Sequence, residues 1–164
     1  MQAYRDETSF IPQELNLPPY ATPRDIAHHI SKINRCTTRH NYMLKFMQYV
    51  KILGVENLLD TRIVKLSSGE KERIAVSTVL ARGCKLLLAD EPGKHLDPLN
   101  LFRVIELIKH EADYALITLH NPLPLALCDR FYTLVEGVFR ETTPKEALGL
   151  ELYPEDNCLR TCLG

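Results

Sequence analysis

The sequence predicts an α/β fold in which a small parallel sheet has flanking helices and a helical subdomain. The stretch 86–89 is apolar without interruption, which suits a strand buried on both faces of a parallel sheet. A second apolar run at 114–119 supplies another strand. The segments 68–82 and 98–108 are typical of helices, and strand segments that alternate with helices indicate the α/β class.

Length and composition predict one soluble domain. The chain has 164 residues, of which 45% are hydrophobic and 25% charged, so it can bury a substantial core. A net charge of −1 gives no bulk electrostatic reason to expect nucleic acid or an anionic membrane as a direct partner. No apolar run is long enough for a membrane span. The five cysteines are expected to be reduced thiols, because they are odd in number and scattered.

The first half of the chain predicts a short strand and two helices. The strand covers residues 8–11 and ends at Pro12. A helix at 23–34 begins with a proline and carries isoleucines at 26, 30 and 33 on one face. A second helix at 40–53 ends at Gly54, as is usual for a C-terminal glycine. Its predicted core stripe is Met43, Phe46, Met47, Val50 and Leu53.

The segment 67–70 predicts a capped helix start. Ser67 and Glu70 have the spacing of a capping box, with Ser68 and Gly69 in the first turn. Such a turn directs backbone N–H groups and the positive end of a helix dipole outward, which suits a phosphate. Taken alone, the pattern is usually only that of an ordinary helix cap.

Acidic side chains follow the strand at 86–89. Asp90 and Glu91 come directly after it, at the edge of a parallel sheet where α/β proteins bind ligands. Asp97 can cap the next helix, with Pro98 in its first turn. The strand at 114–119 ends at His120.

The order of these motifs resembles that of ABC-type ATPases. LSSGE at 66–70 resembles their signature, LLLADEP at 86–92 their Walker B segment, and HLD at 95–97 their D-loop. FIPQELNLPP at 10–19 resembles their Q-loop. The resemblance implies an incomplete P-loop NTPase-like (ABC) fold with a helical signature subdomain.

The resemblance also implies the domain plan and the roles of the residues that would act on a chain's own nucleotide. Residues 1–164 would form a single truncated ABC-type domain. Its parts would be a signature subdomain (about 20–82), an α/β core (8–13 and 83–142) and a C-terminal helix and tail (143–164). Gln13 and Asp90 would contact Mg²⁺, Glu91 would orient or deprotonate the attacking water, and His120 would contact the γ-phosphate.

A second group of residues is expected to act across a dimer interface. In ABC dimers the signature turn closes over the nucleotide of the opposite subunit, so the resemblance gives this role in trans to Ser67, Ser68, Gly69 and Glu70. Asp97 would lie along the same interface. Ser68 departs from the glycine usual in the signature, and Gly93-Lys94 stands where Ser or Thr types are common.

The sequence has no Walker A loop, G-x-x-x-x-G-K-[S/T]. Its only Gly-Lys pair, Gly93-Lys94, lacks the first glycine and is followed by His95. The N-terminal portion of the family domain is therefore expected to be absent, and the chain alone is expected to be inactive. ATP and Mg²⁺ would be bound with a partner, either a Walker A-bearing ABC chain or a second copy. We also expect that the exposed sheet is covered by this partner.

Several functions remain open from the sequence. A subunit of an ABC transporter ranks first, with a membrane permease as a further partner and a location in the cytoplasm or at the inner face of the membrane. The alternatives are a soluble ribosome-associated (ABC-F-like) protein, a non-hydrolysing regulatory module, and a fragment of a longer ABC protein.

Overall fold

The computed structural model describes residues 7–119 and 127–147. These fall into two compact units, 7–119 in the first and 127–147 in the second. His120 and the tail from residue 148 onward lie outside the described residues, so the predictions for them stay predictions. The division of the domain proposed from the sequence likewise stays a prediction.

The first unit contains the predicted small parallel sheet. Its strands are β1 (Thr8–Ile11), β2 (Leu86–Asp90) and β3 (Tyr114–Thr118), in the order β1-β2-β3. Both pairings are parallel, and Leu87 stands opposite Ser9 on one side and Ala115 on the other. The apolar segment β2 is therefore the central strand, which confirms that the run 86–89 belongs to a strand of a parallel sheet.

Four helices accompany this sheet. They are α1 (Pro23–Ile33), α2 (Arg39–Ile52), α3 (Ser68–Leu80) and α4 (Pro98–Glu111), with 3₁₀ turns at Glu56–Leu58 and Ile63–Lys65. The predicted proline starts of α1 and α4 are confirmed, and Gly54 follows α2 with a φ of +65°. Among the described helices the longest have 14 residues, and none combines the length and apolarity that crossing a bilayer requires.

The core of the first unit lies around α3, which packs against β1 and the other three helices. The predicted stripe of α2 is partly wrong. Phe46, Val50 and Leu53 are buried, but Met47 is 40% exposed, and the fully buried aromatic residues include Tyr42 and Tyr49. Tyrosine can enter a core when its hydroxyl is satisfied, and the Tyr42 hydroxyl donates to the Thr78 carbonyl at 3.1 Å.

The two faces of the sheet differ in burial. The covered face carries Ser9, Ile11, Leu87 and Ala89 on β1 and β2, each at most 3% exposed. On β3 the same face carries Ala115, which is exposed, and Ile117, which is half-buried. The open face carries Phe10 (53% exposed), Leu86 (36%), Tyr114 (73%) and Leu116 (62%), with half-buried Leu88 at its centre. The expectation that 86–89 is buried on both faces is wrong for this chain, because helices cover only one. The exposure agrees with the expectation of a sheet left partly uncovered.

Two cysteines form a disulfide, contrary to the expected reduced thiols. Cys36, in the turn after α1, is bonded to Cys84, in the turn after α3. The Asn34 side chain donates to the Arg82 carbonyl at 3.3 Å and so joins the same two turns. The pairing was not predictable from spacing, because 48 residues separate the two cysteines.

The described part of the second unit, residues 127–147, contains a hairpin followed by one helical turn. Strands β4 (Phe131–Val135) and β5 (Val138–Thr142) pair antiparallel, and α5 covers Pro144–Ala147. Glu136 and Gly137 both have positive φ, as a two-residue hairpin turn of type I′ requires. The predicted turn at Glu136-Gly137 is confirmed.

Candidate functional site

The ends of the three parallel strands bring polar side chains together. Asp90 is the last residue of β2, Thr118 is the last residue of β3, and the two are register partners. Gln13 follows β1 by two residues, and Glu91 follows β2 directly. Because the strands are parallel, all four residues lie at the carboxyl edge of the sheet.

Hydrogen bonds join these residues into one cluster. The Gln13 amide (Nε2) donates to Glu91 Oε2 at 2.9 Å. The Thr118 hydroxyl donates to Asp90 Oδ1 at 2.6 Å and accepts from the Glu91 backbone N–H at 2.9 Å. Three residues predicted from the sequence, Gln13, Asp90 and Glu91, are thus brought together, and Thr118 links the two acids.

Glu91 has a backbone conformation that is unusual for a residue with a side chain. Its φ is +48°, in the left-handed region; such a conformation costs about 1–3 kcal/mol and persists only where the surrounding structure fixes it. Here the Glu91 N–H also lies 3.2 Å from the Thr118 carbonyl oxygen. The side chain is only 16% exposed, and Lys94 Nζ lies 3.9 Å from Oε2. The turn therefore fixes this carboxylate at the strand end.

Sequence reasoning missed Thr118 and Lys94 as members of this cluster. A polar residue that ends an otherwise apolar strand was a usable signal for Thr118. The position of Lys94 depends on the turn that follows Glu91, in which the Lys94 N–H donates to the Glu91 carbonyl at 3.3 Å. That turn is not evident from residue types alone.

The oxygen donors of the cluster fit Mg²⁺ that arrives with a phosphate ligand. Magnesium is usually held by one or two carboxylates together with waters and substrate phosphates. The cluster offers the Asp90 carboxylate and the amide oxygen of Gln13, whose nitrogen is directed at Glu91. Within 7–119 and 127–147, no group of three or more His, Cys, Asp or Glu side chains could hold a metal ion. Asp90 and Gln13 are thus oxygen donors of the kind that Mg²⁺ takes together with waters and substrate phosphates.

The turn at 67–70 is built as predicted. Ser67 caps α3: its hydroxyl accepts from the Glu70 N–H at 3.3 Å, while Glu70 Oε2 accepts from the Ser67 N–H at 2.8 Å. Hydrogen bonds from the Ser67 backbone, and then from its hydroxyl, hold the pKa of Glu70 below its ordinary value. Ser67 and Ser68 are exposed.

Gly69 and Arg73 fix this turn to its neighbours. A Cβ at Gly69 would lie 3.1 Å from the His95 carbonyl oxygen, so a side chain here would press on that backbone. Arg73 donates to the Gly69 carbonyl at 3.3 Å and to the Leu53 carbonyl at 2.8 Å. The turn is therefore held between the end of α2 and the loop after β2.

Asp97 caps α4, as predicted. Its carboxylate accepts from the Asn100 N–H at 3.0 Å, and this bond, followed by one from the Asn100 side chain, lowers the pKa of Asp97. The interface role expected for Asp97 stays a prediction, as does the γ-phosphate contact of His120, which lies outside the described residues.

Comparison with protein families identifies the chain. A family model described as ABC transporter matches residues 1–94, more than half of the sequence. The chain belongs to the ABC transporter family. The resemblance drawn from the motifs at 10–19, 66–70 and 86–97 is therefore confirmed.

Curated members of the ABC transporter family include similar ATP-binding proteins. The energy-coupling factor transporter ATP-binding protein EcfA of Onion yellows phytoplasma (strain OY-M) is 32% identical over 125 residues, covering 76% of this chain and 45% of that protein. The lipoprotein-releasing system ATP-binding protein LolD 1 of Rhodospirillum rubrum is 33% identical over 138 residues, covering 81% and 60%. The chain thus spans about half the length of the curated relatives that it matches.

A solved ABC structure has the same fold. The structure of cbiO1 from Clostridium perfringens, described as part of the ABC transporter complex cbiONQ, has a TM-score of 0.67 with this chain. Sequence identity is 23%, and the match covers 92% of this chain and 62% of the other. This similarity confirms the ABC-type α/β fold.

Proposed function

We propose that this chain contributes the Q-loop, Walker B and switch histidine to a composite ATP site, and its signature turn to the nucleotide of the opposite subunit. The Walker A loop of that site would come from a partner chain, and the assembly would be an ABC transporter. The observation that carries this proposal is the cluster of Gln13, Asp90, Glu91 and Thr118 at the carboxyl edge of the sheet. The sequence itself has no loop that could hold the β- and γ-phosphates.

The cluster provides two distinct chemical functions. Asp90 and the Gln13 amide oxygen would hold Mg²⁺, and bound Mg-ATP would supply the phosphoryl group and the charge-neutralising ion. Glu91 would orient the attacking water and accept its proton. Gln13 holds the Glu91 side chain in place, and Thr118 holds the Glu91 backbone N–H. His120 would contact the γ-phosphate from the end of β3.

The open face supports a covering polypeptide. Phe10, Leu86, Tyr114 and Leu116 are each at least 36% exposed on one continuous face, and β1 and β3 both end the sheet. An apolar surface of this kind beside a polar site marks a protein interface. A second copy of this chain would bring no phosphate-binding loop. We therefore assign the open face to a Walker A-bearing chain.

The signature turn would act on a different nucleotide. Ser67 and Ser68 are exposed, and the first turn of α3 presents a dipole end that favours phosphate. In this proposal the turn closes over the nucleotide held by the opposite subunit of the assembly, with Glu70 holding the cap. Asp97 would lie along the same interface.

A groove in the first unit suits a membrane permease as a further partner. It has a volume of about 390 Å³ and is lined by Pro12 and residues 14–17 together with Ile26, Ile30, Ala75, Thr78 and Val79. The lining is mainly apolar, so a helix of a partner could bury its own apolar face there. The groove begins one residue from Gln13, which would connect permease contact with the Mg²⁺ ligand.

The test compares the lone chain with the assembled one. We expect the purified chain to bind Mg-ATP weakly and not to hydrolyse it, and hydrolysis to start when a Walker A-bearing partner is added. Glu91→Gln should abolish turnover in the assembly but leave nucleotide binding, whereas the matched change Glu106→Gln, at an exposed position of α4, should not alter it.

Three outcomes would contradict this proposal. Steady hydrolysis by the lone chain would remove the need for a partner. Unchanged turnover with Glu91→Gln would remove Glu91 as the working residue, and nucleotide binding without hydrolysis in the assembly would favour a regulatory module. The mass of the natural product decides whether the Walker A segment belongs to a second chain or to a longer form of this one.

A further inference from the structure

Glu72 is a buried carboxylate that the proposed reaction does not use. It lies one turn after Ser68 on α3 and is 4% exposed, and it is the one charged residue that is buried within 7–119 and 127–147. A buried charge is costly unless hydrogen bonds satisfy it. Its partners therefore indicate what it does.

Both carboxylate oxygens of Glu72 accept hydrogen bonds from the loop that follows Glu91. The Gly93 N–H donates to Oε1 at 2.5 Å, and the His95 N–H donates to Oε2 at 3.0 Å. His95 Nδ1 lies 3.5 Å from Oε2. A bidentate set of N–H donors to a carboxylate is stronger and more directional than neutral hydrogen bonds.

The same loop contacts α3 and α4 at two further points. Gly93 has a φ of +100°, and a Cβ there would lie 2.3 Å from the Leu101 side chain, so only glycine fits. Gly69, in the signature turn, approaches the His95 carbonyl and the Leu96 side chain. The loop 93–97 thus lies against the turn at 67–69, two residues from Glu91.

We propose that Glu72 is a positioning residue that holds the loop 93–97 on α3, so that the signature turn and Glu91 move as one rigid element. This role of Glu72 rests on the proposed function. There, the signature turn contacts the nucleotide held by the opposite subunit, and Glu91 acts on the nucleotide bound at the chain's own cluster. A displacement of the signature turn would then be transmitted through Glu72 and the loop 93–97 to Glu91, within a single chain.

The first test measures the exchange of the Gly93 and His95 amides in the lone chain by NMR. Glu72→Ala removes both acceptors, and we expect exchange at both amides to rise at least about tenfold. Glu72→Gln offers a single acceptor oxygen, so one amide should stay protected while the other is exposed. Glu106→Gln, an exposed change of the same chemistry, should alter neither amide.

The second test asks whether displacement passes from the signature turn to Glu91. Gly69→Ala pushes on the His95 carbonyl, and we expect it to shift the Glu91 amide resonance in the native background. In the Glu72→Gln background the loop is held less firmly, so the same change should shift Glu91 by less than half as much. A merely structural role of Glu72 would change thermal stability and leave these two shifts equal.

Both NMR tests are made on the chain without bound nucleotide, and their results decide whether Glu72 has this positioning role. Unaltered exchange at Gly93 and His95 in the glutamine variant, or equal Glu91 shifts in both backgrounds, would overturn it. If Glu72→Ala does not fold, the glutamine variant supplies both readouts. Because no ATP or partner is used, failure of the composite-site proposal leaves this test intact, and failure of this test leaves the hydrolysis assay intact.

Discussion

The two faces of the small sheet have similar sequences but different surroundings. On the covered face, Leu87 and Ala89 are buried beneath helices, and Glu111 and Ala112 at the end of α4 line the same region. On the open face, Phe10 and Leu116 are more than half exposed. In a parallel sheet covered on both sides, the apolar residues of both faces would be buried. In this sheet the buried apolar residues lie only on the covered face.

This difference indicates which part of the fold the chain completes by itself. The helices α1–α4 and the covered parts of β1 and β2 form a packed core. The open face has apolar side chains without a covering layer, and the carboxylate cluster lies at the edge of that face. Stability should therefore depend on the covered face, and assembly on the open one.

The largest effect should come from the covered face. Leu87→Ala removes a side chain that is 1% exposed, so we expect the free energy of unfolding to fall by about 2–5 kcal/mol. Leu116→Ala, at a 62% exposed position, should change it by less than about 0.5 kcal/mol. Urea denaturation measures both. Equal losses for the two variants would mean that the open face is covered in solution.

The open face should matter when a partner binds. Leu116→Ser removes apolar surface worth about 1.5–3 kcal/mol when buried, so the dissociation constant for a Walker A-bearing chain should rise about tenfold or more. Leu44→Ser, at a 57% exposed position of α2, is the matched control. Titration calorimetry measures the constants, and equal effects of the two changes would exclude the open face from the interface.

The cap of the signature helix should have a smaller effect on stability. Ser67→Ala removes the capping hydroxyl from α3, and we expect a loss of about 1 kcal/mol. Ser68→Ala changes an exposed serine one position away and should be nearly neutral. Thermal unfolding of the two variants separates the roles. A larger loss for Ser68→Ala would show that the cap lies elsewhere.

The smallest effect should come from an ion pair between α2 and α4. Burial would raise the pKa of Glu111, but contacts from Tyr49 and Lys45 lower it more, with Lys45 Nζ 2.9 Å away. Lys45→Met should therefore cost about 0.5–1 kcal/mol at neutral pH. A carboxyl with a lowered pKa adds stability above its ordinary pKa of 4.5, and this stability is lost as the pH falls through the lowered value.

Urea titrations at several pH values test this ion pair. The difference between the native chain and Lys45→Met should be constant near neutrality and disappear in acid. Lys65→Met, a change at an exposed lysine, should give no such pH dependence. A difference that persists at low pH would contradict the sign of the shift.

Features encoded by neighbouring residues were predictable from the sequence. The capping box at Ser67 and Glu70 and the proline starts of α1 and α4 depend on residues within one turn of each other. The acids after β2 could be located because an apolar strand precedes them directly. This local pattern placed Asp90 and Glu91 at the edge of the sheet, whereas Gln13 was singled out only by the resemblance of 10–19 to a Q-loop.

Contacts between distant residues were not predictable in the same way. Thr118 joins Asp90 across 28 positions, and the disulfide joins cysteines 48 apart. The burial of Tyr42 depends on a carbonyl of α3, 36 residues away, that accepts its hydroxyl. Hydropathy alone therefore favoured Met47 as a core residue, because its side chain has no polar group to satisfy. In the structure Met47 lies on the exposed side of α2 instead.

The backbone at Gly93 has a consequence for how this sequence can change over time. Every other amino acid would place a Cβ 2.3 Å from Leu101 and would also have to adopt a φ of +100°. A single substitution to serine or threonine, the types common at this place in the family, would therefore strain the turn and its packing against Leu101. Such a replacement requires a smaller residue at position 101 and a re-formed turn, so the two positions are genetically interdependent.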